Sequence, residues 1–160
     1  MSTRWSAVLP MPVPDGWLLA LRCKDTQLVE AEFVRAGELT VRDPETDCAR
    51  AAAAAAQIYF SSGQALFNLD LQPAGTAFQQ RVWQALCAIP SGQTRTYGSL
   101  AVELGSSARA VAGACRDNPI PFFIPCHRVV AAHGLGGFMG ALDGAPLRLK
   151  QWLLTHEGAV

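Results

Sequence analysis

Asn118 to Val130 reads NPIPFFIPCHRVV, and within it Cys126, His127 and Arg128 follow one another directly. Thiol, imidazole and guanidinium side by side are the ingredients of nucleophilic chemistry, because a neighbouring base or cation favours the reactive thiolate over a thiol whose free pKa is about 8.5. Pro119, Pro121 and Pro125 stiffen the backbone here, since proline fixes its own φ and restricts the residue before it. The competing reading of Phe122-Phe123-Ile124-Pro125-Cys126 is a buried small hydrophobe, which is what most free cysteines are. The other four cysteines lack such neighbours. Cys23 falls in a strand pattern, Cys48 beside a helix N-cap, Cys87 on the apolar side of a helix and Cys115 among small helix residues, so each reads as packing. Five scattered cysteines, no Cys-x-x-Cys pair and only three histidines predict free thiols in a reducing cytoplasm and no structural zinc.

The second chemical feature is Arg109, a single long cation in Ala108-Arg109-Ala110-Val111-Ala112-Gly113-Ala114. A helix of such small residues lets its backbone approach another surface closely, so it can lie in a groove and push one guanidinium forward to replace something there or bind phosphate. The bland alternative is a packed helix with a solvated arginine.

The elements that must position these residues are legible from caps and periodicity. Thr76 is an N-cap, and Phe78, Val82, Trp83, Leu86 and Cys87 recur at helical spacing up to Pro90. Tyr97 to Leu104 predicts a short helix, Gly105 breaks it, and Ser107 caps a following helix over Ala108 to Arg116. Helix, glycine turn, helix is a helix-turn-helix outline. In the first half, 16–23 and 28–34 are strand-like runs at hairpin spacing, Asp47 stands as N-cap of an alanine-rich helix over 49–60, and 66–71 alternates as a third strand. Pro73, Ala74 and Gly75 form the link between halves.

With 160 residues, half of them apolar and 16% charged, the chain can bury a core as one domain or two small halves, and disorder is excluded. No apolar run reaches the roughly 18 residues of a membrane span, and the start shows no signal peptide. The net charge of zero hides an asymmetry: residues 1–75 hold six Lys/Arg against nine Asp/Glu, whereas 76–150 hold seven against three. An anionic partner would meet the second half.

The residues that carry chemistry lie in a pattern that resembles the O6-alkylguanine-DNA alkyltransferases. The resemblance rests on Phe78-Gln79-Gln80-Arg81-Val82-Trp83, Gly92 to Leu100 with Tyr97, Ala108-Arg109-Ala110-Val111, Asn118-Pro119, Ile124-Pro125-Cys126-His127-Arg128-Val129-Val130, Gly137-Phe138-Met139-Gly140 and Lys150-Gln151-Trp152-Leu153-Leu154-Thr155-His156-Glu157-Gly158. It covers the whole second half in order. It implies an α/β protein: a small ribonuclease-H-like α/β domain over 1–74, then a mostly helical, winged-helix-like domain with the helix-turn-helix over 75–160.

The resemblance also implies roles. Cys126 would accept the alkyl group from guanine O6, His127 would act as general base through a water, and Glu157 would orient the imidazole. Tyr97 would donate to the base, and the backbone around Met139 to the guanine oxygen. Arg109 would enter the duplex and fill the space of a flipped-out nucleotide, with Ser107, Ala108, Ala110 and Arg116 beside it on DNA. Pro121, Phe138, Met139, Asn118 and Arg128 would surround the alkylated base, Pro121 as a wall and Asn118 as a tie between the recognition helix and the Cys126 segment. The implied partner is double-stranded DNA containing O6-alkylguanine; the protein would act as a monomer, with no cofactor, metal or membrane. This chain has Phe138 where the family usually has tyrosine, and it lacks the zinc ligands of some relatives. Two other readings use the same residues: a lesion-binding protein without chemistry, against which Cys126 argues, and a small cysteine hydrolase built on Cys126, His127 and Glu157.

Overall fold

The computed structural model describes residues 4–64 and 68–160. The chain divides into two compact units, Met1–Ala74 and Gly75–Val160.

The first unit is a three-stranded antiparallel sheet with one helix. β1 (Ala7–Pro10), β2 (Trp17–Lys24) and β3 (Gln27–Arg35) lie in the order β1-β2-β3. Lys24 pairs with Gln27, so Asp25 and Thr26 make a two-residue turn, with Asp25 in the left-handed region that such turns use. Trp17 to Leu21 are buried in succession because β2 is the central strand. On one side Trp5, Val8, Leu18, Ala20 and Val34 form a cluster.

Helix α1 (Asp47–Ser62) turns Ala49, Ala52, Ala56 and Tyr59 inward; alanines at this spacing let a helix lie close to its support. Its N-cap is Thr46, whose hydroxyl accepts from the Ala49 N–H at 3.1 Å, rather than Asp47. Asp47 instead sits in the first turn, where a carboxylate faces the positive end of the helix dipole.

Two further expectations are corrected here. Cys23 and Cys48 are joined by a disulfide with Cα atoms 6.4 Å apart, which ties β2 to the first turn of α1. Cysteine usage therefore does not argue for a reducing compartment, and the free thiols are Cys87, Cys115 and Cys126. The third strand is β1, too short and too close to proline to stand out. Of the run expected at 66–71, residues 66 and 67 lie outside the described residues, and the rest makes one parallel bridge, Leu71 with Leu28.

The second unit contains α2 (Ala77–Cys87), β4 (Arg95–Thr96), α3 (Tyr97–Leu104), α4 (Ala108–Arg116), a 3-10 turn at Cys126–Arg128, β5 (Val129–Val130) and α5 (Ala145–Glu157). Thr76 and Gln79 close a capping box on α2. Trp83 Nε1 donates to the Ala114 carbonyl at 2.9 Å, locking α2 to α4. Gly75 has to be glycine, since a Cβ there would stand 2.4 Å from the Trp83 ring. Thr96 caps α3, Gly105 ends it in the left-handed conformation and Ser107 caps α4. β4 pairs in parallel with β5. The start of α3 and the turn carrying Cys126 are thereby brought side by side.

Candidate active site

α4 and the 134–142 loop enclose a cavity of about 430 Å³, with Cys126 at its inner wall and Tyr97, Arg109, Cys115, Phe138 and Met139 around it. Cys126 is 8% exposed, and the cavity is the route by which its sulfur is reached.

The cysteine is not preset as a thiolate. Burial pushes its pKa up, against a hydrogen bond from the Asn118 side chain and the charge of Lys150. The sequence expected His127 and Arg128 to stabilise the anion; instead Arg128 is turned away. Its Nε donates to Glu157 Oε1 at 2.8 Å, and its other nitrogens to the Ile89 carbonyl at 2.8 Å and Ser91 Oγ at 3.1 Å. Arg128 therefore does not line the cavity. It is the buried cation that fixes Glu157.

His127 is 1% exposed, and its Nε2 lies 2.6 Å from Glu157 Oε2. Burial opposes the Glu157 charge, but the hydrogen bonds and charges of His127 and Arg128 outweigh it and bring the carboxyl down to about 2. Burial also lowers the His127 pKa, more than Glu157 raises it, so the ring is neutral at neutral pH. An ionised carboxylate only accepts hydrogen bonds, which puts the imidazole proton on Nε2 and leaves a lone pair on Nδ1. That Nδ1 is buried without a hydrogen-bond partner among the described residues. A neutral imidazole with its far nitrogen anchored and its near lone pair unused is a base in waiting.

Tyr97 lies 3.5 Å from the Gly137 carbonyl, to which its hydroxyl donates. Burial, reinforced by Cys115 and Cys126, raises its pKa far above neutrality, so the phenol keeps its proton. Phe138 and Ala141 exchange two backbone hydrogen bonds of 2.9 Å. Between them Met139 and Gly140 both have positive φ, 55° and 77°, a rigid two-residue turn at the cavity rim that is costly for methionine.

Lys150 is the residue to which sequence reasoning gave no role. It is fully buried, and its Nζ donates to the carbonyls of Leu135 (2.6 Å), Val129 (2.7 Å) and Gly137 (3.0 Å). Burial lowers its pKa to about 8, against the pull of Cys126 and Cys115. It pins the glycine-rich loop to α5. A signal was present: Lys150, Leu153, Leu154 and Glu157 share one helical face, and a charge on such a face has a buried partner.

The other expected residues fall in two groups. Ser107, Ala108, Arg109 and Ala110 form the exposed first turn of α4, and Arg109 and the exposed Arg116 border the cavity. Phe138 and Met139 line the cavity, whereas Pro121 and Asn118 do not. Pro121 is engaged in a bridge with Ile124. Asn118 lies behind the wall, donating to the Ile124 carbonyl at 2.8 Å and accepting from the Ile120 N–H at 3.0 Å.

The second unit is thus of the helix-turn-helix class, with its second helix bordering a cavity that Cys126 lines. Residues 77–159 match the 6-O-methylguanine DNA methyltransferase DNA-binding domain, and the chain belongs to that family. It is 46% identical over 111 residues, 68% of this chain and 67% of the relative, to the methylated-DNA–protein-cysteine methyltransferase of Methanosarcina barkeri. It is 40% identical over 146 residues, 88% of this chain and 86% of the relative, to the protein of the same name from Mycolicibacterium paratuberculosis. For several curated relatives the matched stretch spans only 58–65% of their length. The fold matches Mycobacterium tuberculosis OGT in complex with DNA with a TM-score of 0.75 at 33% identity, covering 95% of this chain and 92% of that one.

Proposed function

We propose that this protein repairs double-stranded DNA by taking the alkyl group from O6 of guanine onto its own Cys126, once per molecule. The observation that carries the reading is Cys126 at the wall of an open cavity bordered by Arg109, next to a neutral His127 held by Glu157. The Cys126 proton passes to His127 Nδ1 through a water, the new imidazolium is stabilised by Glu157, and the sulfur attacks the alkyl carbon. A C–S bond forms, the C–O6 bond breaks, and guanine departs with its developing charge met by the Tyr97 hydroxyl and backbone donors of the Met139 turn. A thioether sulfur is a poor leaving group, so the reaction runs one way.

A thiol fixed at a cavity wall cannot reach a stacked base, so the nucleotide is flipped out. Arg109 fills the vacated space while Ser107, Ala108, Ala110 and Arg116 face the groove. Phe138 and Met139 form the alkyl pocket, and Asn118 and Arg128 support it from behind. In this reading the first unit is ribonuclease-H-like, the second is winged-helix-like, and the protein works as a cytoplasmic monomer without a cofactor.

Intact-mass measurement after mixing with a duplex carrying O6-methylguanine tests the proposal. One added methyl on the Cys126 peptide is expected; binding without a mass change defines a lesion binder, and turnover of a small ester without DNA a hydrolase. Arg109→Ala should slow reaction with the duplex at least about tenfold more than with free O6-benzylguanine, and equal loss on both substrates rules out the probe role.

A further inference from the structure

A second thiol faces the cavity that holds the acceptor. Cys115, the penultimate residue of α4, is buried except for 8% of its surface and lines the same cavity as Cys126. One residue links the two segments: the Asn118 backbone N–H donates to the Cys115 carbonyl at 3.3 Å, and its side chain donates to the carbonyl of Ile124, two residues before Cys126, at 2.8 Å. Both thiols also lie within the electrostatic reach of Lys150. The single-turnover reaction leaves Cys115 unused.

We propose that Cys115 is a second alkyl acceptor, which captures the far end of bifunctional lesions of the O6-(2-haloethyl)guanine class and closes them as a Cys126–CH2–CH2–Cys115 bis-thioether inside the protein. The inference rests on the alkyl-transfer reading. In the first step Cys126 takes the haloethyl group and guanine leaves. In the second, the Cys115 sulfur displaces the halide: a C–S bond forms, the carbon–halogen bond breaks, halide departs through the cavity mouth and the thiol proton passes to water. No oxidant is needed, and both electrophilic carbons come from the lesion. The first step prepares the second. The haloethyl carbon is delivered into the cavity that Cys115 lines, and the Cys115 thiol, held up at about 12 chiefly by burial, gives up its proton as its sulfur displaces the halide. An enclosed thiol is also at high effective concentration compared with any base on DNA outside the cavity. The alternative fate, attack by DNA on the exposed haloethyl thioether, would leave the protein cross-linked to the strand it had repaired.

The test mixes the full protein with a duplex freshly chloroethylated at guanine O6 and freed of reagent, in parallel with an O6-methylguanine duplex. Expected is a protein carrying an ethylene unit in place of two thiol protons, with the peptides of Cys115 and Cys126 linked after digestion. Cys115→Ser, normalised to its own methyl transfer, should shift product to a hydroxyethyl adduct or a protein–DNA cross-link, by at least about tenfold. A wild-type protein with a one-ended or DNA-bound adduct on Cys126 and a Cys115 thiol still open to iodoacetamide overturns the inference. So does methyl transfer without any chloroethyl product. Failure of methyl transfer as well overturns the function on which it rests.

Discussion

Glu157 joins two buried groups of opposite need, a neutral imidazole and a permanent cation. Its carboxyl falls from 4.5 to about 2, so the unfolded chain binds the proton that the folded one refuses, and stability rises with pH across that window. The contribution is complete above about pH 4.5 and lost as pH falls through about 2; it amounts to at most about 3 kcal/mol. His127, with its pKa lowered by burial, acts with the same sign from its ordinary 6.5 downward. Urea unfolding of the wild type should therefore weaken steadily on acidification. Glu157→Gln should lose the part between pH 4.5 and 2, and at pH 7 should be about 3–5 kcal/mol less stable, because Arg128 is left as an unpaired buried charge. An unchanged acid limb in the variant would show that Glu157 is already protonated in the native state. Lys150 is tested differently. Lys150→Met keeps the volume but strips donors from three carbonyls, which should cost about 1–3 kcal/mol and accelerate amide exchange at 134–140 before the rest of α5.

Elements written by local chemistry were read from the sequence, and those written by distant contacts were not. Thr76 and Ser107 announce α2 and α4 because a cap is decided within three residues. The run at 66–71 alternates as well as any strand, yet the sheet is completed by Ala7–Pro10, whose pairing with β2 is a long-range choice. At the site, Cys126, His127, Tyr97 and Glu157 were legible through the motif, but the direction of Arg128 was not: adjacency to Cys126 suggested that it served the thiol, whereas the 3-10 turn sends successive side chains to different sides. The cap at Ser107 gives a prediction at this scale. Its hydroxyl accepts the Ala110 N–H at 3.1 Å, so Ser107→Ala should cost about 1 kcal/mol. It should also slow transfer from duplex by fraying the turn that carries Arg109, with little change on free O6-benzylguanine. Equal slowing on both substrates would place the defect in the cavity rather than in the presentation of DNA.

Every residue of the cavity, and the buried hydrogen bond and ion pair that Glu157 makes with His127 and Arg128, belong to Gly75–Val160, while the disulfide belongs to Met1–Ala74. The disulfide's contribution to stability can thus be perturbed without touching the residues of the candidate site. The Cys23–Cys48 bond closes a sequence separation of 25 residues, a loop for which lost chain entropy in the unfolded state is worth about 3 kcal/mol. Replacing both cysteines by serine should lower the thermal midpoint of the first unit. In molecules still folded at 25 °C, the rate of the proposed methyl transfer to Cys126 should stay within about twofold of wild type, because Cys126, His127 and Glu157 all lie in the other unit. Differential scanning calorimetry and single-turnover mass analysis on the same samples separate the two quantities. A fall in rate that tracks the fall in midpoint would mean that the first unit sets the geometry of the thiol, and the assignment of chemistry to the second unit alone would have to be withdrawn.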